Sequence, residues 1–498
     1  MTHTAIDTTD ELEEALTQDE RLVRDIKKKS VSGALSYFVR TLFLQGIGLL
    51  SAAILTQYFE PEDFGVYGYV TQIIGLLVFF SDIGFAGALI QQKDEPTEVE
   101  YRTVFTVQQV LAWFIFGVAL FVSFSGFVSG ELGEAGTWVL LALAISFPLA
   151  SLKTIPSIQL ERKLNFSKLV VPQIVEQIVF HAILIYFAVQ GVGVMAYSYA
   201  IIARSVIGVL VMFILHPWIP AFTFDTTQFK KLLAFGSKFQ LIDFIARIKD
   251  QLFFLILGKY LPLREFGYIN WAKSWSMYPY NLTVQNVMAI TFPTFSRLQH
   301  NDKALQRAIE KSLFFITIAI FPILIGMSIF IQPVLFLVGL SEKWQPALVS
   351  FILFTLSIGW SAISSPLTNA LTALGKINTT LKLMLMWTGL TWTLTPLAIW
   401  RYGYDGVAIA AFVIAISSLV PLYYMKKEIE IRFLEQIWRQ LLAAGVMAGV
   451  GLFGMNLWQS SFSSLIFGMI LVSCSYGLTL LLVGWKKLVV EIGSLRNK

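Results

Sequence analysis

The sequence predicts an all-α polytopic membrane protein with about fourteen transmembrane helices. Two observations on composition point there first. Of 498 residues, 56% are hydrophobic and only 14% charged, against about 25% charged in a soluble domain. Mean hydropathy is +0.68. The third observation is spacing: from Gly33 onward, apolar runs of roughly 20 residues recur to the end of the chain, each long enough to cross a ~30 Å hydrocarbon core as a helix.

Taken in order, residues 1–20 carry seven acids and no Lys or Arg, and residues 21–29 (RLVRDIKKK) carry five cations. A signal peptide needs a basic start and an apolar core. This stretch instead predicts a cytosolic tail whose basic end lies at the anionic membrane surface. The predicted spans are 33–58, 63–83, 102–128, 137–159, 167–189, 193–216, 229–257, 265–295, 312–338, 345–373, 378–400, 404–425, 438–458 and 462–485. With the N-terminus inside, the inside segments hold 26 Lys and Arg and the outside loops hold 4: Lys259, Arg264, Lys343 and Arg401. That bias sets orientation in the inner (plasma) membrane and predicts both termini cytosolic. The loops are short, so no soluble domain is inserted. The net charge of +5 reflects loop bias and gives no reason to invoke nucleic acid. The single cysteine and four scattered histidines supply neither a disulfide framework nor a metal cluster.

The chain repeats itself. QYFEPEDFGVYGY (57–69) resembles KYLPLREFGYINW (259–271), with Phe64-Gly65 and Phe266-Gly267 offset by 202 residues. ERKLNF (161–166) resembles LGKINT (374–379), and GVGVMAYSY (191–199) resembles YDGVAIAAF (404–412). Six spans per copy is an even number, so the copies enter the membrane in parallel, and parallel repeats place a substrate path between two lobes. The expected layout is a tail (1–30), an N-lobe (31–220), a C-lobe (221–430), and two extra C-terminal helices with a basic tail (431–498).

Ionisable residues inside spans are expensive and mark a wet path or a partner. The cations are Arg40, Arg204, Lys238, Arg247, Lys249 and Lys273; the acids are Asp82, Glu176, Asp243 and Asp250. Asp243, Arg247 and Asp250 are spaced i, i+4, i+7 and share one helix face. Arg40 falls in the inner third of the membrane, Arg204 near its middle, and Arg247 and Lys273 in the outer half. The competing reading is ion pairing: Arg40 with Asp82, Lys273 with Asp250, Asp243 with Arg247. Four acids cannot neutralise six cations, so a net positive path is expected, which suits an anionic, phosphate-bearing cargo because Arg pairs with phosphate in a planar fork. Lys153, at an inner helix end, is expected to snorkel. Glu176 and His181 could form a satisfied pair or titrate and couple transport to protons. Intramembrane amides such as Gln109 and Asn286 could bond sugar hydroxyls or join helices. The chain holds no nucleotide-binding loop, no G-x-S-x-G and no metal motif. No cofactor is expected beyond a coupling ion, Na+ or H+.

FEPEDFGVYGYV with SDIGFAGALIQQKD (59–94), and RIKDQLFFLILGKYLPLREFGYINWAKSW with FPTFSRLQ (292–299), resemble the signatures of the oligosaccharide flippases, or polysaccharide exporters, over roughly residues 30–430. The resemblance implies the fold of the multidrug/oligosaccharidyl-lipid/polysaccharide superfamily, with two six-helix lobes. It implies translocation of polyisoprenyl-diphosphate-linked oligosaccharide from the inner to the outer leaflet for cell-surface polysaccharide. Partners would be membrane lipids and the polysaccharide polymerase machinery. By lobe position, Arg40 and Arg247 correspond to diphosphate-binding arginines of the superfamily's lipid II flippases, without a residue-for-residue match. The last two helices resemble the extra pair that forms a lipid-tail groove in fourteen-helix members. Two alternatives stay open. A drug or small-molecule antiporter of the same superfamily should carry more cavity acids than bases. A membrane glycosyl transferase or polymerase should carry catalytic acids or a large outer loop.

Overall fold

The computed structural model describes residues 40–78, 84–92, 94–125, 129–163, 165–233 and 251–496. Every regular element among them is a helix. Hydrocarbon offers no partner to a backbone N–H or C=O, and a helix satisfies both within one segment. In chain order the main helices are α1 (Arg40–Tyr58), α2 (Pro61–Val78), α3 (Phe85–Gln91), α4 (Glu98–Phe124), α5 (Ser129–Leu152), α6 (Thr154–Arg162), α7 (Phe166–Val189) and α8 (Met195–Leu215). Then come α9 (Phe253–Tyr260), α10 (Leu263–Leu282), α11 (Val284–Leu298), α12 (Asp302–Leu337), α13 (Leu348–Ala373), α14 (Ile377–Tyr402), α15 (Gly406–Ile416), α16 (Leu419–Glu428), α17 (Phe433–Phe453) and α18 (Phe462–Arg496). Nine helices among the described residues are long and apolar enough to cross a membrane. The polytopic all-α class stands, and the count of fourteen remains an expectation.

Predicted spans 137–159 and 265–295 are among those broken in ways a hydropathy window does not register. Span 137–159 divides into α5 and α6 at Lys153. Pro156 has no N–H for the carbonyl of Leu152, and its ring opposes a continuous helix there. Span 265–295 divides into α10 and α11 at Thr283, whose φ is −110°. Pro279 lies one turn earlier, and the Thr283 hydroxyl donates to its carbonyl at 2.6 Å. Asn286 closes the break by donating to the carbonyl of Leu282 at 2.9 Å.

The chain forms two compact units, one of residues 1–58 and 70–255, the other of residues 59–69 and 256–498. In the first, Phe85, Leu89, Phe105 and Ile155 form a buried cluster under the start of α4. A capping box of Thr97 and Glu100 starts that helix. Arg162, at the end of α6, donates to the carbonyls of Leu89, Ile90, Gln92 and Asp94. It thereby satisfies the carbonyls that the end of α3 leaves open.

In the second unit, α12 is the central helix, with Leu313, Ile316 and Ile320 fully buried. The two C-terminal helices pack onto it. Tyr476 on α18 donates to the carbonyl of Ile318 at 3.2 Å, and Ile329 lies over Gly451 of α17. These two helices therefore belong to the apolar core of this unit.

The first repeat signature is packed in the second unit against its own copy. A Cβ on Gly65 would lie 1.9 Å from the carbonyl oxygen of Leu263, and a Cβ on Gly267 would lie 1.8 Å from that of Pro61. Pro61 and Leu263 are themselves equivalent in the repeat, so the two contacts are reciprocal, as about a local two-fold axis. The helices cross backbone to backbone because neither has a side chain at the crossing, the close approach that small residues allow in membranes. Asn270 donates to the carbonyl of Phe64 at 3.0 Å. Trp344, fully buried, stacks on Trp271 at 4.7 Å and meets Phe64 edge-on at 5.3 Å. Lys343–Glu60 (3.2 Å) and Arg264–Glu62 (3.9 Å) pair at the rim.

Candidate translocation site

The predicted intramembrane ionisable groups that can be placed side by side lie in the first unit, around α7 and α8. Glu176 projects from α7 onto Gly208 of α8, where a Cβ would stand 1.9 Å from its carboxylate oxygen. Glu176 pairs with Lys153 at the α5–α6 break, and both side chains are about one-fifth exposed or less (20% and 17%). Lys153 therefore does not snorkel as expected. The chain break at residue 153 turns it toward α7, where a carboxylate neutralises it. Nor do Glu176 and His181 form the expected pair. Glu176 is engaged by Lys153, and His181 Nδ1 is buried without a hydrogen-bond partner.

One turn along α8 from Gly208, Arg204 is half-buried near the helix middle and lies over the ring of Phe180 at 4.7 Å. Among the described residues no carboxylate comes within ion-pair distance of it. An aromatic face is a weaker partner than a carboxylate and leaves the guanidinium fork free to bind an anion. Gln173 Oε1, on the same helix as Glu176, is also buried without a partner. Among the described residues, one neutralised pair and one cation without an acid partner thus lie around α7 and α8.

Of the other predicted site residues, Arg40 opens the described part of α1, half-buried, in the first unit. Lys273 is half-buried on α10, in the second unit. Arg247, Lys249, Asp82, Asp243 and Asp250, along with Lys238, lie outside the described residues. Gly208 was not singled out in the sequence, and its signal there was only a small residue one turn from Arg204. Two of the amides bond helix backbone: Gln109 donates to the carbonyl of Pro148 at 3.2 Å and Asn286 closes the α10–α11 break. Among the described residues, no group of three or more His, Cys, Asp or Glu side chains could hold a metal.

The helical arrangement is similar to that of solved membrane transporters. It superposes on a structure of the lipid II flippase MurJ in an inward closed conformation with a TM-score of 0.71, covering 91% of this chain and 99% of that one at 16% identity. An inward-facing multidrug resistance MATE family transporter gives 0.56, covering 78% and 98% at 13% identity. The chain belongs to the polysaccharide biosynthesis protein family, which it matches over residues 54–349. It is 22% identical over 320 residues to the succinoglycan biosynthesis transport protein ExoT of Rhizobium meliloti (strain 1021), 63% of each chain. It is 22% identical over 373 residues to the lipopolysaccharide biosynthesis protein WzxC of Escherichia coli (strain K12), 72% of each chain. The chain thus spans just under two thirds of ExoT's length. One of these relatives is named as a transport protein, and the two solved structures are transporters.

Proposed function

We propose that this chain is a flippase that moves a lipid-linked oligosaccharide from the inner to the outer leaflet of the plasma membrane for cell-surface polysaccharide synthesis. The observation that carries the reading is Arg204: an arginine midway along a membrane helix, held by an aromatic ring and, among the described residues, by no acid. A cation without a counter-charge at that depth costs roughly 3 kcal/mol on insertion scales. An anionic cargo that brings the counter-charge offsets that cost each time it passes. Arg40 and Lys273, with Arg247 and Lys249, are proposed to continue the positive path, so that a diphosphate is never left unpaired in low dielectric. The isoprenoid tail stays in lipid, and the two lobes rock to expose the headgroup on alternate sides. Coupling to Na+ or H+, and delivery to a polymerase, belong to the same proposal. A drug antiporter of this fold would need net acid in its path, whereas Glu176 is already neutralised by Lys153.

The test is the sidedness of the lipid-linked oligosaccharide in cells lacking the chain. The intermediate is expected to accumulate facing the cytosol. The wild-type chain should clear it, and Arg204→Ala, present at wild-type level in the membrane, should not. Normal clearance by Arg204→Ala would remove the cationic path. An intermediate that reaches the outer face without the chain would remove the flippase reading.

A further inference from the structure

We propose that a cavity of about 620 Å³ in the first unit, at the end of α6, is a binding pocket for a neutral carbohydrate, separate from the intramembrane residues on α7 and α8. Its natural ligand, the sugar portion of the cargo, rests on the flippase reading; its chemistry does not. The volume lies within the ~300–1,000 Å³ range of small-molecule sites. By the loop-charge orientation, the pocket opens on the cytosolic side, where the cargo's headgroup would be waiting.

The walls are held before any ligand arrives. Trp218 is buried against Phe105 with ring centroids 5.3 Å apart, and Tyr101 is buried beside it on the pocket lining. Arg162 is anchored by the four carbonyls named above. His216 Nε2 donates to Gln159 Oε1 at 2.9 Å. Burial, with Lys163 and Lys168 nearby, holds the His216 pKa below its ordinary 6.5, so the ring stays neutral at pH 7 and its second nitrogen is an acceptor. Glu98 is paired with Arg102 at 3.6 Å. Two charged side chains on the lining, Glu95 and Lys163, are exposed and have no hydrogen-bond or ion-pair partner among the described residues.

This mixture selects the ligand class. A free phosphate wants donors only and would meet the carboxylates of Glu95 and Glu98. A polyamine wants acceptors only and would meet Arg162 and Lys163. A sugar hydroxyl both donates and accepts, so it can use a carboxylate and an ammonium at once. The apolar face of a pyranose suits the aromatic side of the lining formed by Tyr101 and Trp218.

The experiment is saturation-transfer NMR on the purified full-length protein with maltotriose, cellotriose and raffinose, and with inorganic phosphate and spermine as competitors. At least one trisaccharide is expected to bind. Glu95→Ala/Lys163→Ala changes two exposed side chains without partners among the described residues, so the fold should survive, and binding should weaken about tenfold or more. Neither phosphate nor spermine should displace the sugar. The pocket is rejected if no trisaccharide binds, if the double variant binds as well as wild type, or if phosphate competes. The two readings fail separately. If trisaccharide binding is lost in the double variant but cells lacking the chain still flip the intermediate, only the flippase reading falls. If the intermediate depends on the chain but the double variant binds sugar normally, only the pocket falls.

Discussion

Glu176 shows how much of a residue's role depends on its neighbours. As a letter in an apolar run it is an intramembrane acid, open to proton coupling or pairing. In the structure it packs over Gly208 and neutralises Lys153, which is brought to it by a helix break at a proline. Removing one member of a buried pair leaves a charge without compensation. Glu176→Ala is therefore expected to destabilise the protein by about 3 kcal/mol, the low end for such pairs, read as a fall in the thermal unfolding midpoint in detergent. Lys153→Met/Glu176→Leu should recover most of that loss, since it removes both charges. A double variant no more stable than Glu176→Ala would mean the pair is not what the charges need. Among the described residues Arg204 has no such counterpart, and this difference between two cations in the same unit is the basis for assigning one to architecture and the other to cargo.

At the scale of elements, the reciprocal crossing of α2 and α10 explains why the two clearest signature stretches carry Phe-Gly at equivalent positions. Each glycine is there because the other helix's backbone occupies the space a Cβ would need. Gly65→Ala and Gly267→Ala are each expected to cost about 1–3 kcal/mol, the range for forcing extra atoms into a packed interior. The double variant should cost less than the sum, because the first methyl already parts the helices and the two sites share one contact. Thermal unfolding of the four proteins checks this; full additivity would show that the two sites are independent. Gly46 and Gly87, with nothing within 4 Å of a built Cβ, serve as controls that should tolerate alanine.

For the whole molecule, orientation is the property the charge pattern addresses most directly. Cys474 is the chain's single cysteine, so Cys474→Ser gives a clean background. In intact cells, a cysteine at Arg401 should react with a membrane-impermeant maleimide and one at Lys376 should not. Labelling of Lys376→Cys alone would invert the proposed topology.

The sequence by itself determined the class: an apolar fraction this high, in runs of membrane length with cations concentrated in alternate loops, has no stable form in water. Helices are then the economical way to satisfy the backbone in lipid. It also showed the repeat through the Phe-Gly pairs, and it singled out Arg204 as a cation at mid-membrane depth. The tertiary structure decided what those letters do. The break at Lys153 follows from the missing N–H donor at Pro156, and the break at Thr283 lies one turn after Pro279; a hydropathy window averages both away. The partner of Lys153, the cradle at Gly208, the mutual packing of the two repeat signatures and the pocket at Arg162 all join residues far apart in the chain. Such contacts depend on distances across space, and no local pattern of residues encodes them.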